Sequence, residues 1–262
     1  MIKKVSLLIM LILGVSILFA CGSSAKNDKK FVVGFDAEFP PYGYKDDKGE
    51  YVGFDLDLAK EVADRNGWEL VKQPIDWDAK DMELKSGNID CIWNGFTING
   101  REDKYTWSSP YINNSQVFVV GTASKIDNQA GLSGKVVAVQ KDSSALAAIN
   151  DEENKDLKSS FKKVIEFGDY NTAFLELEMG TVDAIAMDIG VAKVQMASRN
   201  NKGFVILSDY LSSEQYGVGF LLGNEKLRDK VEASLMEMLD DGTFLKIAKK
   251  WDLQDSISLG EK

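Results

Sequence analysis

Histidine does not occur in this 262-residue chain. Its absence removes a histidine base, a histidine relay to a nucleophile and histidine metal ligation in one step, which weakens most hydrolase readings; no metal and no cofactor is expected. Cysteine occurs only twice, at Cys21 and Cys91. Cys91 lies in the apolar run IDCIW and reads as an inert core thiol. Basic residues are outnumbered, with 31 Lys and Arg against 41 Asp and Glu and a formal charge of −10. A surface of that sign repels nucleic acid, and none is expected as a partner. Long hydrophobic runs are also missing: the run from Val5 to Ala20 is about sixteen residues, where a bilayer-spanning helix needs roughly 20.

What is present at the start of the chain is an export signal. Lys3 and Lys4 precede the apolar run, and small residues close it, so residues 1–20 read as a signal peptide. The segment LFAC that ends at Cys21 resembles the bacterial lipobox, in which the peptide is cut before the cysteine and the thiol is lipidated. On that reading Cys21 becomes an acylated N-terminus, residues 21–30 become a tether, and the protein is anchored on the outer face of the cell membrane. Cys91 is then left without a disulfide partner. Loss of Lys3 and Lys4 leaves 29 basic residues against 41 acidic ones, a charge of −12. The remainder, in a chain with 44% hydrophobic residues, is long enough to bury a full core.

Short apolar runs alternate with helical patterns along that remainder. FVVGF, WELVKQPI and IDCIW read as strands, separated by the helices FDLDLAKEVADRNG, with Phe54, Leu58 and Val62 on one face and Gly67 as its stop, and WDAKDMELKSG. The second half repeats the rhythm with the strands KVVAV, VIEF and VDAIAM, the helix YNTAFLELEMG, and Ser143 and Ser144 where a helix N-cap belongs. Strand and helix in alternation predict an α/β protein with two parallel-rich sheets, and ligands of such sheets bind beyond the carboxyl ends of the strands.

Those ends hold the unusual residues. Asp36, Glu38 and Phe39 follow the first strand; Asn94, Gly95, Phe96 and Thr97 follow CIW; Gln140, Ser143 and Ser144 follow KVVAV; Asp188 follows VDAIAM. Arg101 stands four residues beyond Thr97 in a glycine-containing loop. Its guanidinium is a planar fork suited to a carboxylate, although an arginine beside Glu102 and Asp103 also reads as a solvated surface group. Asp188 ends an apolar strand, where an ionised carboxylate needs a cation; Asp183 opens the same strand and is more easily solvated. An anion holder and a cation holder together suit a zwitterion, with its α-carboxylate on Arg101, helped by Ser143 and Ser144, and its α-ammonium on Asp188. Phe39 and Trp77 are placed to pack on the ligand's side chain, and each is equally at home in a core.

In order along residues 31–252, DAEFPPYGY, GEYVGFDLDLAKEVA, GFTINGREDKYTWSSPY, GKVVAVQKDSSA, LELEMGTVDAIAMD and EQYGVGFLLGNEKLRDKVEASLMEMLDDGTFLKIAKKW resemble the polar amino acid substrate-binding proteins of ABC importers, which have the periplasmic binding protein type 2 fold. The resemblance implies two lobes joined by two hinge strands: residues 31–113 with 216–252, and residues 117–211, with crossings near 113–116 and 212–215 and a C-terminal tail at 253–262. It implies that Arg101, Thr97 and Ser144 hold the α-carboxylate. The Gly95 carbonyl and Asp188 hold the α-ammonium, Asp36 reaches the distal side chain, and Phe39 and Trp77 sandwich it. It also implies a membrane permease as partner, a monomer, and no catalysis. Asp36, Glu38 and the neutral Gln140 favour arginine or lysine, then glutamine, then cystine, with Asn94 as a further polar contact. The alternatives are a secreted dehydratase-like enzyme on the same scaffold, using Glu38 or Asp188 as acid or base, and a ligand-sensing module.

Overall fold

The computed structural model describes residues 29–261. The signal segment, Cys21 and the tether before residue 29 lie outside the described residues. Among the described residues no helix is long and apolar enough to cross a membrane.

FVVGF forms β1 (Lys30–Phe35), with Phe31, Val33 and Phe35 buried on alternate positions. A small antiparallel ribbon follows: β2 (Glu38–Phe39), β3 (Gly43–Lys45) and β4 (Tyr51–Val52). Helix α1 (Phe54–Asn66) buries Phe54, Leu58 and Val62, and it stops at Gly67, which caps it with φ 66°. After β5 (Glu69–Pro74), the expected helix WDAKDMELKSG divides into a 3₁₀ turn, Trp77–Ala79, and helix α2 (Lys80–Ser86). The IDCIW strand shrinks to β6 (Cys91–Ile92), because the chain turns at Gly95 with φ 54°. A Cβ there would lie 2.9 Å from the Phe39 ring, so the turn needs glycine on both counts.

β7 (Thr106–Trp107) leads to the long β8 (Ile112–Gly121). Then come β9 (Val136–Gln140), α3 (Ser144–Asn150), α4 (Lys155–Ser160), β10 (Lys163–Phe167), α5 (Tyr170–Met179), β11 (Ala184–Asp188), α6 (Ile189–Ser198) and β12 (Phe204–Ile206). The chain returns through β13 (Ser212–Tyr216) to β14 (Gly219–Phe220) and ends with α7 (Glu225–Asp240) and α8 (Thr243–Lys250).

One sheet has the order β5-β1-β6-β14-β7, parallel where β1 meets β5 and β6 and antiparallel around β14. The other has the order β10-β9-β11-β8-β12, parallel among β10, β9 and β11 and antiparallel against β8. β8 and β13 carry the chain between the two sheets as an antiparallel pair, from Ile112 opposite Tyr216 to Gln116 opposite Ser212. The segment expected as a C-terminal tail is packed in place. Ile257 bridges to Ile112, the Ser258 N–H donates to the Tyr111 carbonyl, and Leu253 and Leu259 are buried, so this segment braces the start of β8.

Candidate functional site

The carboxyl ends of β1, β6, β9 and β11 open towards the gap between the sheets, and there lies a small, nearly closed cavity of about 10 Å³. Phe39, Trp77, Asn94, Gly95, Thr97, Arg101, Gln140, Ser143, Ser144 and Asp188 line it. Asp36 and Glu38 are the sequence candidates outside that lining, and both line an outer cleft. The Asp36 carboxylate accepts from the Gln140 amide at 2.7 Å, and it faces this larger outer cleft of about 800 Å³. The Asp36–Gln140 bond therefore forms a partition between cavity and cleft. Burial, more than the nearby Glu38 and Asp169 charges, pushes the Asp36 carboxyl up to about 6.

At the cationic end, Arg101 is half-buried, with its guanidinium 5.2 Å over the Phe96 ring. It donates to the Thr97 carbonyl and, across the gap, to the Asp142 carbonyl, both at 3.3 Å. Such long bonds to neutral acceptors leave the fork able to turn to a carboxylate. Ser143 caps α3, its oxygen accepting from the Leu146 N–H at 3.1 Å, so its O–H remains able to donate to a ligand. Ser144 sits at the first turn and accepts from Gln116 at 2.9 Å.

At the anionic end, Asp188 closes β11, a strand buried along its whole length. The partners of its carboxylate in the protein are neutral: Asn114 and Gln116 donate to Oδ1 at 2.8 Å each, and the Tyr216 hydroxyl donates to the same oxygen. Glu214 lies beside it and accepts from the same two amides. Desolvation first, and the Glu214 charge second, push the Asp188 carboxyl up to about 8. Asp183, its competitor in the sequence, is tied to the Val136 N–H and to Lys135 at the opposite end of the strand.

Gly95 is held from behind. Its N–H donates at 2.6 Å to Asp55, a fully buried carboxylate that also accepts from the Tyr111 hydroxyl and is pushed by burial up to about 7. Asn94 accepts from the Asp36 N–H at 3.0 Å, while its own amide nitrogen is buried without a partner among the described residues. Phe39 packs near Tyr42 and Tyr170, and Trp77 stands edge-on to Phe96, so both belong to the core and to the cavity wall. Contacts across the gap draw the two sides together: Lys80, 1% exposed, pairs with Asp142, Lys141 with Asp78, and Asn171 donates to Glu38.

Sequence reasoning missed Asp55, Lys80, Asn114, Gln116, Asp142, Glu214 and Tyr216. For Asn114 and Gln116 a signal existed: INNSQ is polar inside a strand whose remainder, VFVVG, is apolar. Glu214 and Tyr216 carried none, since EQY reads as an ordinary exposed edge.

The family of bacterial extracellular solute-binding proteins, family 3, matches residues 31–254. The chain belongs to this family. Among its relatives, the L-cystine-binding protein TcyJ of Escherichia coli is 29% identical over 87% of this chain and 85% of its own length. The arginine-binding extracellular protein ArtP of Bacillus subtilis is 30% identical over 89% and 92%. The crystal structure of an ABC uptake transporter substrate-binding protein from Streptococcus pneumoniae with bound histidine matches with a TM-score of 0.84 at 30% identity, covering 89% of this chain and 96% of that one. The resemblance read from the sequence therefore holds, as does the two-lobed α/β fold it implied. As a family 3 solute-binding protein the chain is not an enzyme, and the dehydratase-like alternative falls. The family's work is extracellular.

Proposed function

We propose that this protein captures a polar L-amino acid between its two lobes and delivers it to the permease of an ABC importer. The observation that carries the proposal is the pairing within one small cavity of Arg101, bound only to neutral acceptors, with Asp188, bound only to neutral donors. Two buried or half-buried charges without counter-ions of their own match an α-carboxylate and an α-ammonium, whereas either charge alone would suit many ligands. On this reading Arg101, Thr97 and the hydroxyls of Ser143 and Ser144 hold the carboxylate. Asp188 and the Gly95 carbonyl hold the ammonium, and the side chain runs between Phe39 and Trp77 towards Asp36, Gln140 and Asn94.

Arginine or lysine ranks first, then glutamine, then cystine. Support for a cationic side chain comes from the outer cleft, where Asp36, Glu38, Asp76, Asp78, Glu83 and Asp169 outnumber Lys141. The relatives named for arginine and for cystine bracket the same range. Lobes of residues 31–113 with 216–252, and of residues 117–211, would close about β8 and β13, with Lys80–Asp142 and Lys141–Asp78 meeting on closure. Lipidation of Cys21 would keep the monomer at the outer face of the membrane beside its permease.

Titration calorimetry of the purified protein, unfolded and refolded to strip carried ligand, against the twenty amino acids, ornithine, citrulline and cystine tests the proposal. Micromolar or tighter binding of one of them, near 8 kcal/mol, is expected. Heat from none of them would overturn it.

A further inference from the structure

The ammonium end contains one carboxylate more than the proposed ligand needs. Asp188 Oδ1 and Glu214 Oε1 are bracketed by the same two nitrogens: Asn114 Nδ2 at 2.8 and 2.7 Å, and Gln116 Nε2 at 2.8 and 2.7 Å. Two oxygens that share both donors lie side by side. Asp188 is 2% and Glu214 6% exposed, so water screens their repulsion poorly. Among the described residues no lysine or arginine pairs with either carboxylate. The other groups packed against the pair are hydroxyls, Tyr216 from β13, Tyr42 from the β2–β3 turn, Tyr170 from the start of α5 and Ser144 from α3, and the charged group that faces it across the cavity is Arg101, which is not paired with it. The tyrosines are themselves buried among these carboxylates, which raises their own ionisation far above neutrality, so they supply neither counter-charge nor a labile proton. All side-chain donors to Asp188 go to Oδ1, and Oδ2 receives none.

Two buried carboxylates that share both donors and have no cation of their own are stable together when the pair holds one proton. Resting on the reading above, we propose that Glu214 is a positioning residue of the ammonium site: it holds one proton with Asp188 in the ligand-free protein, and a ligand ammonium arriving at Asp188 Oδ2 drives that proton to solvent. The exchange balances, since one positive charge enters as one leaves and no covalent bond of the ligand changes. Glu214 does not line the cavity and acts through Asp188. Its consequence is selectivity. A cation is needed to replace the proton, so a ligand lacking the α-ammonium meets a protonated and neutral Asp188.

The sign follows from the Asp188 carboxyl standing near 8 without ligand and falling when an ammonium binds. Binding then strengthens as pH rises towards 8, by about tenfold per pH unit for one proton released. Calorimetry with L-arginine, then with L-lysine, L-glutamine and L-cystine in turn, is run at pH 6.5 in two buffers of different ionisation enthalpy and repeated from pH 6 to 8. Wild type is expected to release close to one proton per ligand bound. Glu214→Gln keeps the length and an oxygen for the amides, and is expected to release a clearly smaller fraction of a proton and to bind with a shallower pH dependence, since burial alone still raises Asp188. Buffer-independent heat in the wild type overturns the inference and leaves the amino acid reading intact. A Glu214→Gln variant that loses affinity equally at every pH, with its proton release unchanged, also overturns it, because that is a packing role. Should the variant not fold, the two-buffer measurement on wild type decides alone. No heat from any of the four amino acids at any pH removes the reading on which the inference stands, and the inference with it.

Discussion

Arg101 and Asp188 face one cavity from opposite lobes and are held by opposite means. Arg101 stands on a loop, half-buried, resting on the Phe96 ring and on two backbone carbonyls at 3.3 Å. Asp188 ends a fully buried strand, with three donors on one oxygen and a second carboxylate beside it. A guanidinium stays charged in almost any protein setting, so its end of the site needs little support and tolerates solvent. A carboxylate loses its charge when desolvated, so the other end requires a scaffold of amides and hydroxyls fixed by the crossing strands. The comparison assigns rigidity and pH sensitivity to the aspartate end and adjustment to the arginine end.

The strongest way to break that comparison is Asp188→Asn. A ligand ammonium would meet a neutral amide in a buried setting, and affinity is expected to fall by at least about a hundredfold, roughly 3 kcal/mol. Calorimetry reads it directly, and a des-amino analogue that binds wild type as well as the amino acid would remove the ammonium assignment. Arg101→Ala comes next, with a loss of at least about 2 kcal/mol and an unchanged fold. Arg101→Lys should recover only part of it, because a point charge replaces the fork; full affinity in the alanine variant would show that the carboxylate is held elsewhere.

A pH series separates the two ends without mutation. Asp36, Asp55 and Asp188 have carboxyls raised to about 6, 7 and 8 in the folded protein. The folded state therefore binds more protons than the unfolded chain above their ordinary value of 3.8, and ligand-free stability should be greatest near pH 4 and fall as pH rises through 6 to 8. Urea unfolding at pH 5, 6.5 and 8 checks this, and stability rising over that interval would mean that these carboxylates are ionised and well paired. The smallest effect concerns the arginine side. Asp142→Ala leaves the buried Lys80 without its carboxylate across the gap while preserving the Asp142 carbonyl that Arg101 meets. Faster ligand release, with affinity lowered by about 1 kcal/mol, is expected in stopped-flow and calorimetric measurements; no change in release rate would show that this pair does not contribute to closure.

Much of the fold was legible because local rules decided it. The 3.6-residue spacing of Phe54, Leu58 and Val62, the glycine stop at Gly67 and the Ser143 cap need only their neighbours in the chain. The site was legible where a residue type is out of keeping with its surroundings, as Asp188 is at the end of an apolar strand. Partners that come from the crossing strands were not, because Glu214 is 26 residues from Asp188 in the chain and 100 from Asn114, and adjacency arises only when β13 pairs with β8. The same holds for the last residues: LQDSISLG has the composition of a tail, yet Ser258 and Ile257 find partners at Tyr111 and Ile112.

By itself the sequence determined the alternation of strands and helices, the exclusion of histidine chemistry and the presence of Arg101 and Asp188 where a charge is out of keeping with its surroundings, since each depends on residue type and short spacing. The tertiary structure alone decided that Asp188 shares its amides with Glu214, that Asp36 lies behind Gln140 as a partition, and that Lys80 and Asp142 meet across the gap. Those facts depend on which surfaces two sheets bring face to face, and a buried charge takes its proton affinity from neighbours that are distant in the chain.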